Sequence, residues 1–177
     1  MTDTRLLFTL LIAAVAIGRL IELRIAERHR QSLLARGGRE EGAGHYPWMV
    51  ALHTAFLFSS PLEVWLLGRP FVPALAGAML AMLAAAVALR WWVIGTLGER
   101  WTTRIVVLPG APLVTGGPFR FLRHPNYLAV VTEIAVLPLV HTAWLTALVF
   151  SLLNAWLLFV RIRAEEAALA SAVRSSS

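Results

Sequence analysis

Two short stretches hold most of the reactive side chains. Gly116-Gly117-Pro118-Phe119-Arg120-Phe121-Leu122-Arg123-His124-Pro125-Asn126-Tyr127 joins guanidinium, imidazole and phenol groups to a turn set by two glycines and a proline. Arg161-Ile162-Arg163-Ala164-Glu165-Glu166 begins 34 residues after Tyr127. In the first stretch Pro125 suits the first position of a helix, where its missing N–H costs nothing. His124 then stands at the helix start, beside free backbone N–H groups that suit a polar or anionic ligand. In the second stretch Arg161 and Glu165 are four apart and share a helix face. A guanidinium there can hold an anionic acceptor through two hydrogen bonds, and a carboxylate can hold an amino or hydroxyl group. Plainer readings stand beside these. The first stretch also reads as an amphipathic loop with its arginines among lipid headgroups. The second also reads as a solvated helix end with an internal salt bridge worth roughly 0.5 kcal/mol or less.

A third group of ionisable residues, Arg19, Glu22, Glu63, Arg90 and Glu133, falls inside apolar runs. Charges at membrane depth cost several kcal/mol unless they are paired or face a cavity. Arg19 and Glu22 can pair along one helix, whereas Glu63, Arg90 and Glu133 need partners from other helices. They are polar glue between helices, or they line a substrate cavity with Glu63 and Glu133 as substrate-binding residues. The chain has no cysteine, and all sixteen basic residues are arginine. Disulfides, thiolate ligands and lysine chemistry are therefore excluded. His45 and His53 share no face with a clear third ligand, His29 and His141 read as interfacial, and no H-E-x-x-H occurs, so no metal site is expected. Neither G-x-G-x-x-G after a strand nor G-x-x-x-x-G-K-[ST] is present.

The elements that must position these groups are membrane helices. Of 177 residues, 58% are hydrophobic and 15% charged, with mean hydropathy +0.70. Soluble domains carry about a quarter charged residues. That balance excludes an ordinary soluble enzyme, a disordered tail and, despite a net charge of +6, a nucleic-acid binder. Five apolar runs read as spans: Leu6 to Leu23, Trp48 to Leu67, Phe71 to Leu97, Tyr127 to Val140 and Thr142 to Val160. The last two, separated by Pro138 and His141, read as a tight hairpin. The expected fold is all-α and membrane-embedded, one domain over residues 1–177, with three N-terminal helices in 1–97 and a ligand-binding loop, hairpin and C-terminal segment in 98–177. Twelve arginines fall in the loops after the first and third runs and in the C-terminal segment, against Arg5 and Arg69 on the other side. The asymmetry predicts a multi-pass protein of the cell membrane with its N-terminus outside and those loops in the cytoplasm. Arg5 is a weak basic start offset by Asp3, so the first run reads as a retained span and not a cleaved signal. Trp48, Trp91, Trp92 and Trp101 read as interfacial anchors.

The stretch Gly117-Pro118-Phe119-Arg120 … Arg123-His124-Pro125-Asn126-Tyr127, with Arg161 … Glu165-Glu166 after it, resembles the isoprenylcysteine carboxyl methyltransferase family of integral membrane enzymes. The resemblance covers roughly the last 80 residues. Arg19-Leu20-Ile21-Glu22-Leu23, Arg36-Gly37-Gly38-Arg39-Glu40, Gly44-His45-Tyr46 and Leu97-Gly98-Glu99-Arg100-Trp101-Thr102-Thr103-Arg104 are similar to a bacterial branch that methylates alkylpyrone or alkylresorcinol lipids beside a partner polyketide synthase. The resemblance implies S-adenosylmethionine as cofactor and methyl transfer to an oxygen of a lipidic acceptor, either an isoprenylcysteine-type carboxylate or a phenolic or pyrone hydroxyl. It implies a cofactor wall from Pro112, Leu113 and Val114, a cover from Phe119, and an opposite lip from His124, Pro125, Asn126 and Tyr127. Glu165 would hold the cofactor's polar end, and Arg161 the acceptor's oxygen. Phe119 stands where the family usually has tyrosine, and the aromatic, basic tail usual after the Glu-Glu pair is mostly missing. Two other readings are a phospholipid-headgroup N-methyltransferase and a non-enzymatic membrane scaffold or transporter subunit.

Overall fold

A computed structural model describes residues 3–42, 44 and 46–174, so His45 lies outside the described residues. The described residues form five α-helices and two three-residue strands: α1 (Thr4–Ala35), β1 (Arg39–Glu41), α2 (Tyr46–Leu66), α3 (Pro73–Leu97), β2 (Ile105–Val107), α4 (Pro125–Leu139) and α5 (Trp144–Arg174). Four helices are long and apolar enough to cross a membrane, and α4 is a shorter apolar helix. The chain is a multi-pass, all-α membrane protein. Each expected span has a helix, but α1 and α5 extend well beyond the apolar runs that announced them.

Asp3 caps α1, its carboxylate accepting from the Arg5 N–H at 2.9 Å. At about 1.5 Å per residue, thirty-two residues make a helix longer than a bilayer core is thick. The segment after Leu23, expected as a polar loop, is therefore the protruding end of a helix. Ala26 and Leu33 on that end are buried. Gly37 at φ +86° and Gly38 turn the chain out of α1, and Gly38 N–H donates to the Leu33 carbonyl at 2.8 Å. A Cβ on Gly38 would stand 2.7 Å from that carbonyl oxygen. β1 then pairs antiparallel with β2, with Glu40 opposite Val106.

The helices alternate in direction. The C-terminal ends of α1, α3 and α5 and the N-terminus of α4 therefore gather at one end of the bundle, with the two strands. α4 packs along α3 and α5, and α2 against α5. The core joins Phe8, Ile12, Phe56, Leu83, Ile134 and Leu137. Buried Ala86, Ala129, Ala143 and Ala147 let backbones approach closely, as packing between membrane helices requires. The outer surface carries exposed Leu10, Ile17, Phe58, Leu66, Leu152 and Trp156, an apolar skin suited to acyl chains.

The charges at depth are paired. Arg19 donates to Glu133 at 2.6 Å and to Glu22. Arg90 donates to both Glu133 oxygens, one at 3.3 Å, and stands 3.9 Å from Glu22. Two arginines and two glutamates thus tie α1, α3 and α4 into a neutral quartet. Glu63 lies at the opposite end from the strands. It accepts from the Leu145 and Thr146 N–H groups at 3.1 and 2.6 Å, and from Arg69 at 2.8 Å. A carboxylate from α2 so caps α5 and meets the positive end of its dipole.

Candidate active site

The site is built where α4 begins. Gly116 to Pro118 lead into a short 3-10 turn, Gly117–Arg120. Gly117 adopts φ +56° and lies against Thr96, so a Cβ there would collide with that side chain. His124 occupies the helix-capping position and Pro125 the first turn, as their order in the sequence predicts. Tyr127, one residue past Asn126, points back between two groups of α5. Its hydroxyl donates to Glu165 and accepts from Arg161 Nε at 2.9 Å. Arg161 and Glu165 therefore do not form the internal salt bridge that their spacing allows, because the tyrosine oxygen stands between them. The His124 ring stacks on Tyr127 with centroids 5.3 Å apart, and His124 Nε2 lies 3.5 Å from Glu166. Arg161 is buried, and two further groups hold it: the Thr103 carbonyl at 2.8 Å and the Met49 sulfur at 3.1 Å.

Beside this cluster lies a cavity of about 120 Å³ that opens to the outside. Val93 and Leu97 of α3 form its floor. The segment from Trp101 through β2 forms one wall, and Phe119, His124, Pro125, Asn126, Tyr127 and Glu165 form the rest. Six of the expected ligand-binding residues thus meet around one space, although Glu165 is 38 residues from Tyr127. Two buried polar atoms of lining residues have no hydrogen-bond partner: the Trp101 indole N–H and the Asn126 side-chain oxygen. An unpaired buried donor and acceptor each cost free energy that a bound ligand can recover.

Other expected residues are placed elsewhere. Pro112, Leu113 and Val114 do not line the cavity; the Pro112 carbonyl accepts from Arg100 at 2.5 Å and Leu113 is exposed. Ile105, Val106 and Val107 take the wall instead, because β1 holds them there. Glu133 has both oxygens engaged in the quartet and does not line the cavity. Glu63 caps α5 roughly 20 residues, about 30 Å of helix, from Glu165. Neither acid lines this cavity. Trp101, expected as an interfacial anchor, is buried in a small core with Ala26, Val93 and Ile94, and its carbonyl lies 2.9 Å from His29 Nδ1. Glu40, Trp101 and Arg104 stood in the sequence only within motifs of the bacterial-branch resemblance, with no site role attached. The strand pairing that gives them a place was not legible.

Among the described residues no group of three or more His, Asp or Glu could hold a metal ion. The molecule is a bundle of membrane helices with a cavity at one end, lined by motif residues from two distant segments. The profile of the isoprenylcysteine carboxyl methyltransferase (ICMT) family matches residues 79–171. YpbQ of Bacillus subtilis, described as uncharacterized, is 38% identical over 163 residues, covering 92% of this chain and 96% of that one. An uncharacterized Haemophilus influenzae protein is 33% identical over 158 residues, 89% of this chain and 91% of its own. No solved structure matches significantly. The chain belongs to the ICMT family.

Proposed function

We propose that this protein is an S-adenosylmethionine-dependent methyltransferase that acts on an oxygen of a lipid acceptor. The observation that carries the reading is the convergence of the Arg-His-Pro-Asn-Tyr segment and Glu165 on one cavity. The lining residues fit the cofactor. Unpartnered Trp101 N–H and Asn126 oxygen suit the edge of a purine. Val93, Leu97 and Phe119 offer apolar surface to its faces. Glu165 suits an ammonium or ribose hydroxyl. The cavity is smaller than the several hundred Å³ of a typical ligand cleft, so it takes in one end of the molecule and the rest lies along the open mouth.

When bound, the cofactor supplies a methyl group already activated on a sulfonium, so the protein needs neither metal nor covalent nucleophile. Its residues bind, align and exclude water. Tyr127 orients Glu165, and Arg161 orients Tyr127. The Phe119 ring offers a face to a cation, whereas the Tyr127 ring already meets His124 and Arg161. Arg161 does not itself line the cavity, and from behind Tyr127 its charge favours an anionic acceptor oxygen. The arginine-rich loops lie at the same end as the cavity. We assign that end to the cytoplasm, where the soluble donor is available.

The test is transfer of labelled methyl from S-adenosylmethionine into a lipid extract, followed by mass analysis of the product. O-methylated lipid is the expected result. An N-methylated phospholipid would replace the acceptor assignment, and no incorporation into any lipid would overturn it.

A further inference from the structure

Four charged side chains line the cavity: Arg100, Arg104, Arg123 and Glu165. Arg100 is drawn to the Pro112 carbonyl, and Arg123 is exposed on the loop. Arg104 is held differently. Its Nη1 donates to Glu40 at 2.6 Å, and its guanidinium lies over the Tyr46 ring at 4.2 Å. Glu40 also accepts from Arg30 Nε at 2.6 Å, so one carboxylate ties the end of α1 to the start of β2. Arg30 also donates to Glu27 at 3.1 Å, so the two guanidiniums face two carboxylates and Arg104 shares only Glu40. The remaining N–H groups of Arg104 have no acceptor among the described residues. Tyr46 is itself tied to the site, its hydroxyl 3.3 Å from Thr103 Oγ1, whose residue's carbonyl holds Arg161. Arg104 is thus a cation fixed in position before any ligand arrives, on the wall of the cavity that Glu165 also lines.

A sulfonium amino acid carries one ammonium and one carboxylate. Glu165 can meet the first. We propose that Arg104 binds the carboxylate of the donor's amino-acid arm, and that Glu40 is the positioning residue that aims it. This rests on the methyltransferase reading and adds to it two residues, one of which, Glu40, lies outside the segment that the family profile covers. A fixed planar guanidinium loses little freedom on binding a carboxylate and can offer it two parallel N–H groups.

The experiment titrates two probes into purified protein by calorimetry: S-adenosylhomocysteine, which has the amino-acid arm, and 5′-methylthioadenosine, which lacks it. Arg104→Gln is expected to weaken S-adenosylhomocysteine about tenfold or more while methylthioadenosine stays within about twofold. Retained methylthioadenosine binding shows that the variant is folded. Glu40→Gln is expected to weaken S-adenosylhomocysteine by a smaller factor with the same selectivity. Arg104→Lys should recover part of the loss, as a point charge without the fork. Loss of both probes together, or of neither, in Arg104→Gln overturns the assignment. Failure of the unsubstituted protein to bind either probe would overturn the methyltransferase reading itself, and this inference with it.

Discussion

Tyr127 donates its hydroxyl hydrogen to Glu165 while its oxygen accepts from Arg161 Nε at 2.9 Å. One phenol thereby joins the first turn of α4 to the C-terminal half of α5. It also converts an i, i+4 pair on one helix into a three-residue relay across two. The spacing of Arg161 and Glu165 brings both onto one face, and the tyrosine decides that they do not touch.

Tyr127→Phe removes only that oxygen. It leaves Arg161 Nε and Glu165 each short of a partner in a half-buried setting, which costs about 1–3 kcal/mol. Thermal unfolding in detergent should fall accordingly. Affinity for S-adenosylhomocysteine should fall about tenfold, because Glu165 is no longer aimed. A variant with full stability and full affinity would show that the relay is incidental.

Glu133→Gln should be among the most damaging single changes away from the cavity. Arg19 and Arg90 both depend on this carboxylate. Its loss leaves buried positive charge with only Glu22 opposite, and breaking a buried ion pair costs about 3–5 kcal/mol. The expected result is a large drop in melting temperature. Glu133→Gln protein that melts like the unsubstituted chain would refute the quartet.

Glu63→Ala separates stability from binding. Removing the carboxylate that caps α5 should cost about 1–2 kcal/mol. The cavity is about 30 Å away along α5, so affinity for S-adenosylhomocysteine should be unchanged. Impaired donor binding at unchanged stability would restore Glu63 to the site.

Much of this arrangement was legible in the sequence. The five helices follow from apolar runs, and the meeting of His124, Asn126, Tyr127 and Glu165 from motif resemblance. The ends of α1 and α5 were not, because residues past the bilayer are polar whether they coil or remain helical. The pairing of Arg39–Glu41 with Ile105–Val107 was also hidden: three residues are too few for a period-two pattern, and the partners lie more than sixty residues apart. That pairing moves the cavity wall from Pro112–Val114 to β2. Depth along an apolar run identified Glu63 and Glu133 as charges needing partners, but it gave no information on which neighbour supplies them.

Acid should loosen the strand end of the site. Burial pushes the Glu40 carboxyl upward, but the hydrogen bonds and charges of Arg104 and Arg30 outweigh it and hold the group below its ordinary value. A depressed carboxylate contributes stability that is full above its unfolded value, about 4.3, and is lost as pH falls through the folded value. Unfolding measured from pH 6 downward should show an acid-range loss in the unsubstituted protein. In Glu40→Gln that contribution is already absent, so the loss should be smaller. Identical acid profiles would remove Glu40 from the account.

The most direct measurement is calorimetric titration of S-adenosylhomocysteine into the purified protein and into Glu165→Ala. The account predicts saturable one-site binding by the first and affinity at least about tenfold weaker in the second. Absence of binding by the unsubstituted protein, or equal affinity in both, would contradict it.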